Sequence, residues 1–246
     1  RPKLRDEIVT LAHGAGGKAT RALVEGLFAQ AFDNALLAPL SDAALLEPTA
    51  SRLAFTTDSY VVKPIFFPGG DIGELAVNGT VNDLAVSGAR PIALSAGFII
   101  EEGFAIADLR RIADSMARAS AAAGAPIATG DTKVVERGNA DGLYVTTAGV
   151  GVVADGTNLS AARATPGDRI LVSGTLGDHG MAVMVARGEL ELEVDLESDT
   201  APVHELAAAL LSLGDAVRWM RDPTRGGLAT ALNELAQDAD LSVSLE

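Results

Sequence analysis

The sequence predicts a two-domain protein of mixed α and β structure, an α/β (α+β) chain. Three observations carry this. Short apolar runs alternate with segments whose apolar residues recur at helical spacing. The stretch 155–168 is rich in Asp, Gly, Asn, Ser, Thr and Pro and reads as a linker. A second series of strand and helices starts at Arg169. The expected division is therefore 1–154, a linker over 155–168, and a C-terminal α/β unit over 169–246 that is too short to be complete.

The elements follow in order. Ile8 to Ala12 reads as a short strand, followed by the glycine loop His13-Gly14-Ala15-Gly16-Gly17-Lys18. Leu23, Val24, Leu27, Phe28 and Ala31 recur as one helix face. Leu53 to Thr57 is a strand ending at Asp58, and Pro64 to Gly70 is an apolar loop that stops at Asp71. Residues 71–88 read as a helix with Asp71 as N-cap and Gly88 as its stop. Ile92 to Ile100 is a strand. Leu109, Ile112, Ala113, Met116 and Ala117 mark an amphipathic helix ending near Gly124. Pro126 to Thr129 is a strand running into a Gly130-Asp131 loop, and Leu143 to Val153 is a long strand. In the second unit Ile170 to Val172 is a strand, and helices are expected over 178–187, 203–213 and 226–238. Ser244 to Glu246 reads as a strand cut short. With Arg1 as first residue, the chain is expected to lack residues at both ends.

Hydrophobic residues are 48% and charged residues 21%, enough apolar surface for a packed core. Aromatics are only 4%, so Ala, Val, Leu and Ile must build that core. The net charge of −14 argues against nucleic acid and anionic membrane as partners. No cysteine is present, which excludes disulfides and thiolate metal sites in this sequence. No apolar run approaches a membrane span, and a cytoplasmic location is the default reading.

The glycine loop is not a P-loop. Ala12 stands where the first glycine belongs, and Ala19 follows Lys18 where Ser or Thr is needed. A lysine-bearing loop ahead of a helix can still meet phosphate oxygens, and an ordinary strand-to-helix turn accounts for it equally well. On the helix from Asp71, Asp71, Asn78 and Asn82 fall in one narrow stripe with Asp83 on a neighbouring face. No Lys or Arg occurs between Asp71 and Ala89. Unpaired carboxylates suit Mg²⁺, which prefers oxygen ligands; a plain acidic surface helix is the bland alternative. Asp58, Asp131 and Asp222 each end a strand or open a loop. Singly, each is more often a turn cap. Together with Asp83 they could cage one or two Mg²⁺ ions. His13, His179 and His204 show no metal-ligand spacing.

At this point whole strings are specific. Leu11 to Lys18, Thr57-Asp58-Ser59-Tyr60-Val61-Val62, Phe66 to Gly73, Gly79 to Ala85, Gly97 to Gly103, Thr129 to Val135, Val172 to Gly180 and Asp222 to Leu228 resemble, in order, the HypE family of hydrogenase maturation proteins. That family lies in the superfamily of aminoimidazole ribonucleotide synthetase. The resemblance implies a two-domain fold, N-terminal domains paired in a homodimer, and ATP held with Mg²⁺ near the dimer interface. By motif it implies Asp58, Asp83 and Asp222 as metal ligands. It implies Gly16, Gly17, Lys18, Asp71, Asn78, Asn82, Gly130, Asp131 and Thr132 as nucleotide neighbours.

The reaction implied is ATP-dependent dehydration of a carbamoylated C-terminal cysteine to a thiocyanate, a source of cyanide ligands for nickel–iron hydrogenase. The partner HypF would load the carbamoyl group, and a HypC–HypD iron scaffold would accept the cyanide. A general base must take the amide proton, and Lys133 is the candidate because it adjoins the nucleotide loop. The sequence departs from the family in holding no cysteine. Two rival readings are a sister ATP-dependent synthetase or kinase, and a non-catalytic nucleotide-binding scaffold for maturation; ATP turnover separates the last from an enzyme.

Overall fold

A computed structural model of the chain describes residues 4–14, 18–35, 37–38, 52–189, 194–224 and 226–245. The expected nucleotide neighbours Gly16 and Gly17 lie outside the described residues.

The N-terminal part begins with a single bridge, Ile8 to Ala105, in place of the expected strand. The backbone of Glu7 to Val9 bonds along Gly103 to Ile106, then tightens into a 3-10 turn over Leu11–Gly14. Buried His13 explains the turn: Thr10 donates its backbone N–H to His13 Nδ1 at 3.0 Å. Helix α1 (Lys18–Leu23) continues through a π-helical turn, Val24–Phe28, into the short α2 (Ala29–Ala31). Leu23, Leu27 and Phe28 face the core, as their spacing predicts.

The main sheet has four strands in the order β1 (Leu53–Tyr60), β6 (Leu143–Val153), β4 (Ala89–Glu101), β5 (Ile127–Val135). β4 and β5 run parallel and the other neighbours antiparallel, so the sheet is mixed as expected. A two-stranded ribbon, β2 (Phe66–Phe67) with β3 (Gly70–Asp71), replaces the expected apolar loop. Helices α3 (Ile72–Val86) and α4 (Ile106–Ala122) cover one face of the sheet. Alternation decides which strand residues meet them. Leu94, Ala96, Phe98 and Ile100 of β4, with Leu143 and Val145 of β6, point inward. Val77, Val81, Leu109, Ile112 and Met116 meet them from the helices. Each of these side chains larger than alanine contributes about 1.5–3 kcal/mol by leaving water. α3 and α4 cross closely at Gly73, where an added carbon would stand 2.6 Å from the Ile112 carbonyl oxygen.

The opposite sheet face carries Leu53, Phe55, Thr57 and Ser59 of β1, and Ser95, Gly97 and Ile99 of β4. Nothing among the described residues covers it: Phe55 is 72% exposed.

The C-terminal part has three α-helices, α5 (Asp178–Ala186), α6 (His204–Leu211) and α7 (Gly227–Ala239), as the periodicity predicts. Ile170 to Val172 does not form the expected strand and is exposed. A strand needs a hydrogen-bonding neighbour, and no strand lies among the described residues after Val153. For the same reason Ser244 and Leu245 have no regular structure; Glu246 lies outside the described residues. Residues 194–203 run as a strap across the β2–β3 ribbon and α3. Ser198 donates its N–H to the Pro68 carbonyl at 2.8 Å. Ser198 Oγ meets His179 Nδ1 at 2.9 Å, while that imidazole packs edge-on against Phe67.

Candidate functional site

The site gathers on α3 where β1 and the C-terminal part meet it. β1 turns Thr56, Asp58 and Tyr60 toward the helix and leaves Leu53, Phe55, Thr57 and Ser59 outside. Thr56 donates its hydroxyl to Asp83 Oδ2 at 2.9 Å. One strand repeat further is Asp58, whose Oδ1 accepts the Ser59 N–H at 2.8 Å. Next comes Tyr60, whose ring oxygen rests on Gly79, one helical turn before Asp83.

Asp222 reaches this point from the segment before α7, and its carboxyl faces that of Asp83. Burial, and then the Asp83 charge, push the Asp222 carboxyl up to about 6. Among the described residues neither carboxylate forms an ion pair. Two facing carboxylates without a cation repel each other, and hard oxygen donors of this kind fit a divalent ion such as Mg²⁺. Of the three carboxylates expected as ligands, the structure sets Asp83 and Asp222 face to face. Among the described residues no three His, Asp or Glu side chains form a metal-ligand set. The reason is spacing: Asp58 lies one strand repeat, about 7 Å, from Thr56, the residue that touches Asp83.

The other expected residues divide into three groups. Asp71 is the N-cap of α3, as its position predicts. Its Oδ1 accepts from the backbone N–H of Gly73 and Glu74 and from the Ser115 hydroxyl, at 2.8, 3.1 and 2.6 Å. Asn78 is buried, and its Nδ2 has no partner among the described residues. Asn82 is committed to the strap, donating to the Ala201 carbonyl at 2.9 Å and accepting from the Val203 N–H at 2.8 Å.

The third group is not in a loop. Gly130, Asp131, Thr132 and Lys133 lie within β5, an edge strand, where sequence predicted a turn. Gly130 is required by the sheet: an added carbon would stand 2.2 Å from the Ala96 carbonyl oxygen. Asp131 pairs with Gly97 and Lys133 with Ile99, which sets both side chains on the uncovered sheet face. They are exposed, and the sheet separates them from the Asp83–Asp222 pair. Lys18, at the start of α1, is also exposed. Sequence reasoning missed Tyr60 and Thr56. Their signal was alternation with Asp58 along β1.

Comparison with known proteins now becomes decisive. Residues 40–153 match the family described as AIR synthase related protein, N-terminal domain, and residues 165–246 match its C-terminal domain. The carbamoyl dehydratase HypE of Rhodobacter capsulatus is 57% identical over 246 residues, covering 99% of this chain and 72% of the relative. That of Bradyrhizobium diazoefficiens is 56% identical over 243 residues, covering 98% and 70%. The chain belongs to the HypE family. A crystal structure of a HypE in complex with ATP superposes with a TM-score of 0.89 at 49% identity, covering 94% of this chain and 68% of that one. A HypE–HypF complex superposes at 0.75 with 52% identity, covering 89% and 71%. The HypE fold therefore holds over nearly all of the chain, which spans about 70% of the length of its relatives.

Proposed function

We propose that this HypE-family chain carries the nucleotide and cation site of an ATP-dependent carbamoyl dehydratase of hydrogenase maturation. The observation that carries the reading is the meeting of Asp83 and Asp222, brought from the two matched regions, as a partly buried carboxylate pair with no ion-pair partner among the described residues. Mg²⁺ held there, with Asp58 behind the pair, would neutralise phosphate charge. Gly16 and Gly17, Lys18 at the start of α1 and Gly130 to Thr132 on β5 are proposed nucleotide neighbours, the Asp131 face of β5 being brought by a second copy because the sheet separates it from the Asp83–Asp222 pair of its own chain. Asn78 joins them through its unpartnered amide. Asp71 and Asn82 act indirectly, by fixing the start of α3 and the strap.

The chemistry follows from leaving-group strength. A carboxamide oxygen leaves poorly. Transfer of the terminal phosphoryl group of ATP to that oxygen, with release of ADP and one amide proton, makes it a good leaving group. Departure of phosphate with the second amide proton leaves S–C≡N. Lys133 is the proposed base. A lysine base needs burial or nearby cations, and Lys133 is exposed on the open sheet face. We therefore propose that a second copy covers this face in a homodimer, placing Lys133 and Asp131 in a closed interface. HypF is the proposed carbamoyl donor partner and a HypC–HypD scaffold the acceptor. The division into 1–154 and 169–246, joined by 155–168, is proposed as the domain organisation.

Intact mass of the protein as encoded in full tests this, after incubation with HypF, carbamoyl phosphate, Mg²⁺ and ATP. A carbamoyl adduct that loses one water only when ATP is present is the expected result. An adduct that persists with ATP reduces the protein to a carrier or scaffold. No adduct with an active HypF returns the choice to a sister synthetase or kinase.

A further inference from the structure

Two local costs coincide beneath the proposed cation site. The Tyr60 hydroxyl is shut off from solvent and finds no hydrogen-bond partner at normal distance and angle among the described residues. A buried polar group left unpaired destabilises a fold, and phenylalanine would fill the same space without it. Directly against the hydroxyl, α3 carries Gly79 in mid-helix, where glycine is about 1 kcal/mol less favourable than alanine. An added carbon at Gly79 would stand 2.0 Å from the Tyr60 oxygen. The glycine is the space in which the hydroxyl sits. Where two residues break local rules at one point, a site is the usual reason.

The surroundings fix the direction of the hydroxyl's proton. Thr80 and Thr147 hydroxyls meet at 2.6 Å, and Thr147 Oγ1 donates onward to the Ala76 carbonyl at 3.0 Å. Thr80 must therefore be the donor to Thr147, and it has no proton to offer Tyr60. The other neighbours are the Asp58 and Asp83 carboxylates, which are acceptors.

We infer that Tyr60 is a positioning residue for the cation site, its hydroxyl seated on Gly79 and donating to the Asp58 carboxylate so as to hold it toward the Asp83–Asp222 pair. This rests on the reading of those carboxylates as cation ligands. When the site holds a cation, Asp58 would be one of its ligands, and the Tyr60 hydroxyl would donate to that carboxylate and fix its orientation.

Calorimetric titration with Mg²⁺ and a non-hydrolysable ATP analogue, paired with thermal melts, tests the inference on wild type, Tyr60→Phe, Gly79→Ala and Asp83→Asn. Tyr60→Phe should melt at or above the wild-type temperature, because it removes an unpaired buried oxygen, and yet bind Mg²⁺ about tenfold more weakly. Gly79→Ala, which displaces the hydroxyl, should show at least the same loss. Asp83→Asn should lose Mg²⁺-dependent binding. Wild-type affinity in Tyr60→Phe, with binding lost in Asp83→Asn, overturns the role of Tyr60 alone. Wild-type affinity in Asp83→Asn overturns the carboxylate site and the inference with it. A Tyr60→Phe variant that melts lower makes the hydroxyl structural and overturns the inference as well.

Discussion

Asp71 collects three donors on one oxygen, two from the first turn of α3 and one from Ser115 of α4. Asp71→Ala removes the cap and leaves a buried serine hydroxyl without its carboxylate. The expected loss is about 2–3 kcal/mol, read from chemical denaturation. Asp71→Asn keeps an acceptor and should lose less than half of that. Glu101 offers a pH-dependent counterpart. The backbone N–H groups of Gly138 and Gly142 hold its carboxyl below the usual glutamate range. A depressed carboxyl stabilises the fold above its ordinary value of 4.5 and loses that contribution as pH falls through the folded value. The turn 136–142 should therefore lose amide protection, measured relative to intrinsic exchange, as pH falls below 4.5, and Glu101→Gln should remove that pH-dependent protection. Protection that stays constant with pH in the wild type would show that Glu101 does not hold the turn. Asp71 was legible as a cap because an Asp followed by a long apolar period leaves little choice. Its carboxylate was not legible as unavailable, because Ser115 is 44 residues away.

Helices were easier to read than strands, for a physical reason. A helix bonds within itself, so α3, α4, α5, α6 and α7 follow from local period alone. A strand depends on a partner distant in sequence. Gly130-Asp131-Thr132-Lys133 has the composition of a turn, and only parallel pairing with β4 makes it strand. Ile170 to Val172 shows the converse: strand composition without a partner gives no strand. Gly130→Ala tests how tightly β4 and β5 are joined. The new methyl meets the Ala96 carbonyl, a backbone atom that cannot swing away. The strands must part locally, at an expected cost of about 2–3 kcal/mol. A change below 0.5 kcal/mol, the ordinary range for a surface position, would show that this edge yields freely. Ile112→Ala, in the α3–α4 seam, should cost about 3–4 kcal/mol by leaving a cavity.

At the scale of the molecule, the described residues cover the sheet on one face only. The uncovered face holds Leu53, Phe55 and Ile99 on its central and β1 side, and Asp131 with Lys133 toward β5. Exposed apolar side chains grouped on one sheet face call for a partner surface. A second copy of the same face satisfies that need and also withdraws Lys133 from solvent, which a lysine base requires. One variant separates these ideas. Phe55→Glu places a charge at the most exposed aromatic of the face while touching nothing in the core. Sedimentation should report a shift from dimer to monomer, with single-chain stability changed by less than about 0.5 kcal/mol. Nucleotide turnover should fall with the dimer and recover when protein concentration restores it. A Phe55→Glu protein that remains dimeric would place the interface elsewhere. A monomer with undiminished turnover would remove Lys133 as a base that depends on a second copy.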